Sequence, residues 1–292
     1  MPRAERQAVL LMLAALSCLI LLDASGKWMA QRGVPVAVST WSRYFGHLVL
    51  VLAVFLPTRG LAVLRTAHPV RQVLRGMLMV CITLFYFAAL KSLPLAQATA
   101  IFFTTPMLVT VLATIFLKER PGWITWVALG GGFTGVLIVI RPGTDLPLTG
   151  TLLVLGAAAA NAVYQTLTRA QSQADPPEVQ VLYAGLAGAA LMTLGAPFWW
   201  QPDWWVPLNL SRLDWTVLGL MGLLGATGHL LLSRAFRLTF ASRLTPWSYS
   251  QLLLAVLIGW LAFGDLPDTV ALMGMVLIAV SPQLTWLRRP QA

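Results

Sequence analysis

Charge is the scarcest thing in this sequence. Of 292 residues, 20 are Lys or Arg and 10 are Asp or Glu, so 10% are charged against 58% hydrophobic. Soluble domains carry about 25% charged residues, which excludes an ordinary soluble fold. Cysteine is nearly absent: Cys18 and Cys81 sit alone inside apolar runs, with no disulfide framework and no metal-ligand spacing. There is no HExxH, no glycine-rich phosphate loop ending in Lys-Ser/Thr and no nucleophile elbow. Neither an enzyme nor an ATP-driven pump is indicated, and no cofactor or metal is implied. The net charge of +10 is scattered through short loops and forms no basic, aromatic-interleaved patch, so no nucleic-acid partner is expected. The N-terminal MPRAERQ and its apolar run lack an A-x-A-like cleavage site, so no cleaved signal is expected.

What the sequence has in quantity is long apolar runs. Ten reach or approach the roughly 20 residues that an α-helix needs to cross a bilayer: about 8–31, 36–57, 72–91, 94–117, 122–140, 148–169, 178–200, 213–236, 240–263 and 268–287. Pro, Gly or charge punctuates the connections, and the 200–213 loop carries Trp204 and Trp205 after Trp199 and Trp200, as an aromatic belt does. The fold class expected is an all-α integral membrane protein. Arg3, Arg6, Arg59, Arg65, Arg71, Arg75, Lys118, Arg120, Arg169, Arg234, Arg237, Arg243, Arg288 and Arg289 fall on one side, against Lys27, Arg32, Lys91, Arg141 and Arg212 on the other. That bias predicts both termini in the cytoplasm of a multi-pass protein.

The runs repeat. Shifted by 146 positions, Ala89, Thr99, Phe103, Leu108, Glu119 and Pro121 fall on Ala235, Thr245, Tyr249, Leu254, Asp265 and Pro267. At an offset of 142, Lys27 falls on Arg169, Pro35 on Pro177 and Trp41 on Tyr183. Two units follow, 1–143 and 144–292, of five transmembrane helices each. Because five is odd, the second unit crosses in the opposite sense, which gives an inverted repeat around a central cavity, the architecture of alternating access.

Ionisable groups in hydrocarbon cost about 2.5–3.5 kcal/mol each on insertion scales and face the bundle interior. Asp23 and Lys27 are i,i+4 neighbours, either a self-neutralising pair or a carboxylate left to meet a cationic substrate or a proton. Thr40, Arg43, Tyr44 and His47 share a face; Arg43 either braces backbone or binds an anionic group, and His47 is either packed or a proton carrier. Asn161, Tyr164, Gln165 and Thr168 form a stripe, read as interhelical glue or as ligand contacts. Thr99 and Phe103 match Thr245 and Tyr249, with Trp247, Ser248, Ser250 and Gln251 crowding the same turn. Packing or a binding wall both explain that pattern. Tyr86 and His229 are further candidates, and Glu119 reads as a solvated turn charge.

Ala89-Leu90, Pro94, Thr99-Ala100, Pro106, Phe116-Leu117-Lys118-Glu119-Arg120 and Gly132-Phe133 with Gly135-Val136 together resemble the EamA-type repeat of the drug/metabolite transporter superfamily. Ala235, Phe263-Gly264-Asp265, Pro267 and Gly274 resemble its second copy, with Asp265 where Glu is usual and Gly228-His229 where the pattern is apolar. Asp23-Ala24, Lys27 and Leu74-Arg75-Gly76 resemble the branch that includes S-adenosylmethionine carriers. The resemblance covers nearly the whole chain. It implies ten helices as two inverted five-helix repeats and a secondary transporter without a bound cofactor.

The expected function is movement of a small polar or zwitterionic metabolite, amino-acid-like or S-adenosylmethionine-like, across the bacterial inner membrane. A lipid flippase or scramblase and a non-transporting membrane sensor are the alternatives. Expected substrate contacts are Asp23, Arg43, Tyr86, Phe103, Asn161, Tyr164, Gln165, Trp247, Tyr249 and Gln251. Asp23, His47 and His229 are the candidates for coupling to a proton. The partners are the small-molecule substrate, membrane lipid and a coupling proton or counter-substrate, with a homodimer left open.

Overall fold

The structure, a computed structural model, describes residues 3–116, 118, 120–141, 146–170, 176–201, 209–239, 244 and 247–286. Glu119, Gln173, Trp204, Trp205, Arg243 and Thr245 lie outside the described residues. All regular structure among the described residues is helical: α1 (Arg3–Gln31), α2 (Val36–Arg59), α3 (Pro69–Ala89), α4 (Leu95–Phe102), α5 (Thr105–Phe116), α6 (Trp123–Ile140), α7 (Leu148–Ala170), α8 (Pro177–Leu194), α9 (Ala196–Trp199), α10 (Arg212–Leu238), α11 (Ser250–Phe263) and α12 (Thr269–Val280). Seven stretches are long and apolar enough to span a membrane, one of them made of α4 and α5 together, and three shorter apolar helices accompany them.

Four expected spans depart from continuous helices; in the run 240–263, α11 begins only at Ser250, after a turn at Tyr249. The run 94–117 breaks after Phe103, because Pro106 has no N–H to give the carbonyl four residues back and so cannot continue α4. The run 178–200 breaks at Gly195, where α8 ends and the four-residue α9 begins. The last run ends as α-helix at Val280 and finishes as a 3-10 turn over Ser281–Trp286.

The packing follows a pattern. α1 lies along α10 and α3 along α7; α2 crosses α10 and α8 crosses α3; α2 meets α8, and α6 meets α12. Exchanging the two sequence units maps this set of neighbours onto itself. Small residues make the crossings close. A Cβ on Gly222 would collide with the backbone of Gly46, and one on Gly76 would collide with Ala187. These crossings are counterparts, since Gly46 falls beside Ala187 at the offset of 142 and Gly76 falls on Gly222 at the offset of 146. Of the glycine cluster in α6, Gly135 meets Gly274 and Gly131 meets Ser281, whereas Gly130 and Gly132 face open space.

Candidate functional site

The polar side chains that the apolar bundle must accommodate gather in three places, one central and one at each end. At the α1 C-terminal end, Gly264 adopts a left-handed conformation that stops α11, and the Asp265 N–H bonds back to Gly259 O. That turn delivers the Asp265 carboxylate to Lys27, whose Nζ lies 2.5 Å away and also donates to Leu93 O at 3.1 Å. Lys27 is 5% exposed and also sits over the Phe263 ring. The i,i+4 pair with Asp23 is therefore replaced: Lys27 is fully engaged across the bundle, and Asp23 has no hydrogen bond or ion pair among the described residues. Beside it, Ser211 and Asp214 form a capping box that starts α10. The fully buried Asp214 carboxylate also accepts from Trp28 Nε1 at 2.7 Å and meets Arg32 at 3.7 Å.

At the opposite end, Arg75 is a hub that reading it as an ordinary loop-side cation missed. It is buried and donates to Gln72, Thr168, Tyr164 and Gln180, joining α3 to α7 and α8. Gln72 and Arg75, three residues apart at the start of an apolar run, were the available signal. Tyr164 and Thr168 of the α7 stripe thus hold Arg75, while Asn161 is half-buried and Gln165 exposed.

Between the ends lies the centre. Arg43 is 8% exposed and donates to Thr83 Oγ1 at 2.7 Å. Thr83 gives its own proton to Met79 O, so it accepts from Arg43 and from the Tyr44 hydroxyl. The guanidinium lies over the Tyr44 and Phe87 rings, 5.2 and 5.8 Å from their centroids. Its Nε has no partner, nor does the buried Nε2 of His229 on α10. His47 donates Nε2–H to Val181 O at 3.1 Å, with its ring 6.4 Å from that of His229. Asp23 is half-buried on α1, about one turn before Gly26, which packs against the Phe87 ring under Arg43. Tyr86 bonds to Thr99 at 3.1 Å and packs edge-on against Phe102.

The interrupted helices bring a further pair together, in the same apolar core as Tyr86. Phe103 closes α4 and Tyr249 opens α11, and the two rings stack 5.2 Å apart at 22°. They occupy the same position in the two sequence units. Gln251 is half-buried one turn on, and Trp247 is exposed. Thus Asp23, Arg43, Tyr86, His47 and His229 share one region, Phe103 and Tyr249 meet as a pair, and Tyr164 belongs to the Arg75 hub.

Apolar helices around a polar interior, with helices broken where aromatic and polar side chains meet, define a multi-pass membrane protein of the transporter class. The comparison with known proteins is specific. The chain belongs to the EamA-like transporter family, which it matches over residues 6–141 and 148–286, and so is a member of the drug/metabolite transporter superfamily. It is 30% identical over 253 residues to a riboflavin transporter of Vibrio cholerae, covering 86% of this chain and 83% of that one. It is 25% identical over 260 residues to an S-adenosylmethionine uptake transporter of Rickettsia felis, covering 88% and 84%. It is 28% identical over 249 residues to the pseudopaline exporter CntI of Pseudomonas aeruginosa, covering 82% of each. A solved crystal structure shares the fold, with a TM-score of 0.68, 22% identity and 98% of both chains covered.

Proposed function

We propose that the chain is a secondary carrier of a small polar metabolite, amino-acid-like or adenosyl-type, in the bacterial inner membrane. It works by alternating access between two inverted five-helix units, 1–143 and 144–292, with both termini in the cytoplasm. The observation that carries this reading is the meeting of Phe103 and Tyr249 at matched breaks beside the buried polar centre. Discontinuous helices facing one another near mid-membrane are where carriers of this general design bind substrate. The exchange symmetry of the helix neighbours supports the inverted repeat. In this reading Asp23, Arg43 and Tyr86 line the site, Phe103 and Tyr249 wall it, and Asn161, Gln165, Trp247 and Gln251 contribute from its margins. Tyr164 contributes through Arg75, and Asp23, His47 and His229 are the groups available to couple a proton. The names of the relatives support a small organic substrate: riboflavin for one, S-adenosylmethionine for another, pseudopaline for a third.

The test is flux into proteoliposomes containing the purified chain, with a panel of S-adenosylmethionine, riboflavin and amino acids. Saturable uptake of at least one compound is expected, lost in Phe103→Ala and Tyr249→Ala. Uptake of none of them, with scrambling of labelled lipid instead, refutes the reading in favour of a flippase.

A further inference from the structure

Arg43 is a cation with an incomplete set of partners. A buried guanidinium carries five N–H donors, yet the described residues supply one side-chain acceptor, Thr83, and two ring faces. Its Nε is unpartnered although the residue is 92% buried, the complement of its 8% exposure. On the facing helix, Gly225 leaves open the place beside that Nε that a larger side chain would fill, a Cβ there coming to 3.7 Å. One turn further along α10, the buried His229 Nε2 is also unpartnered. Phe87 packs under Arg43 on one side and against Gly26 on the other, and about one turn before Gly26 on α1 stands Asp23, with no hydrogen-bond or ion-pair partner among the described residues. Lys27, the other cation near Asp23, is taken by Asp265. The centre therefore holds one unsatisfied cation and one unsatisfied anion that are not bonded to each other.

We infer that Arg43 and Asp23 form a bipolar receptor for a zwitterionic substrate, the carboxylate going to Arg43 and His229 and the ammonium or sulfonium to Asp23. This rests on the carrier reading and fixes the charge type and direction of the substrate within it. The charge balance favours a zwitterion over either single ion. The Asp23–Arg43 centre is neutral, so a lone anion or lone cation would leave a net charge in hydrocarbon, which is costly. A zwitterion adds none and satisfies both ends. A charge-assisted hydrogen bond at each end corresponds to about tenfold to a hundredfold in affinity.

The test is thermal stabilisation of the full chain in detergent by four forms each of methionine and phenylalanine: the free amino acid, its amide, its N-acetyl derivative and its N-acetyl amide. For the wild type, the zwitterion is expected to bind at least about tenfold more tightly than any blocked form. Arg43→Gln is expected to bind zwitterion and amide alike. Asp23→Asn is expected to bind zwitterion and N-acetyl form alike. If Arg43→Gln does not fold, His229→Ala, which keeps the Arg43–Thr83 bond, should reduce the preference for the carboxylate and leave that for the amine. Equal binding of zwitterion and amide by wild type, or stabilisation by neither zwitterion, overturns the bipolar receptor. If riboflavin flux persists in that case, the carrier reading stands and only the receptor falls; if no compound moves, both fall.

Discussion

Asp265→Asn should destabilise the protein far more than Asp23→Asn, although Asp23 is the closer neighbour of Lys27 in sequence. Removing one partner of a buried ion pair costs about 3–5 kcal/mol, because the other charge stays buried and uncompensated. Here the Lys27 side chain is 6% exposed but that of Asp265 is 30% exposed, and the bond to Leu93 O remains. The expected cost of Asp265→Asn is therefore lower, about 2–3 kcal/mol. Replacing both partners by apolar residues, Lys27→Met with Asp265→Leu, should cost less than the sum of the single changes by about 1–3 kcal/mol. Asp23→Asn, which removes a carboxylate with no partner, should leave stability within about 0.5 kcal/mol or raise it. Reversible unfolding in mixed micelles, followed by helicity, measures Asp265→Asn, Asp23→Asn, Lys27→Met, Asp265→Leu and the double change. If the two single Asp changes cost the same, or the double change is additive, the cross-bundle pair contributes nothing and the reasoning fails.

Other expectations use the same unfolding measurement or a local probe. Gly222→Ala pushes a methyl into the Gly46 backbone and should cost about 1–3 kcal/mol, whereas Gly219→Ala, with nothing near its Cβ, should be neutral or stabilise by up to about 1 kcal/mol; equal effects would place the α2–α10 crossing elsewhere. Arg75→Lys offers three donors at one point where four acceptors surround a planar fork, and should cost about 2–3 kcal/mol; unchanged stability would mean the hub is not formed. At the α12 N-terminus, hydrogen bonds from Arg141 and then the Ala271 N–H hold the Asp268 carboxyl below the usual carboxylate range. A depressed folded value means that the stabilisation is complete above the unfolded value, about 3.9, and fades as pH falls through the lower folded one. Protection of the Ala271 amide from hydrogen exchange, corrected for intrinsic rate, should thus be unchanged from pH 8 to pH 5; loss between pH 7 and pH 5 would refute it.

The helices were legible because membrane insertion acts on composition over some twenty residues, and Pro, Gly and Arg mark where each run ends. The interruptions were harder to see. Pro106 stands in plain view, but a proline inside an apolar run is compatible with either a kink or a full break, and only packing decides which. Phe103 and Tyr249 were found through the repeat offset, which needs no side-chain geometry, whereas their stacking depends on where two separate breaks bring them. Lys27 shows the opposite failure. Local spacing favours Asp23 as its partner, yet Asp265, 238 residues away, is presented by a glycine turn whose direction no periodicity encodes. Arg75 lay close to a basic loop and so read as topology, when its polar neighbours come from α7 and α8. In each case the covalent neighbourhood was informative about the helix and silent about which helix it would meet.

The distribution of polar bonds also constrains how the two units could move. Trp28 and Arg32 at the end of α1 meet Asp214 at the start of α10, while Tyr164 and Thr168 near the end of α7 meet Arg75 at the start of α3. These are counterpart helix pairs at the offsets of the sequence repeat, and the latches sit at opposite ends of the bundle. Their chemistry differs: a buried carboxylate with an indole donor at one end, a guanidinium fork among neutral acceptors at the other. Opening the first exposes an aspartate that water solvates well, while opening the second strips the bonds to Thr168, Tyr164 and Gln180 from one arginine. The second latch holds its cation by several directional bonds to neutral acceptors rather than by one ion pair, so replacing those bonds calls for new contacts, those of bound substrate among them. In the alternating-access reading, substrate should therefore favour opening at the Arg75 end, and Arg75→Lys should raise the accessibility of introduced cysteines at that end without substrate. Equal accessibility at both ends in wild type and variant would mean that the two latches are structural ties and that the units exchange access elsewhere.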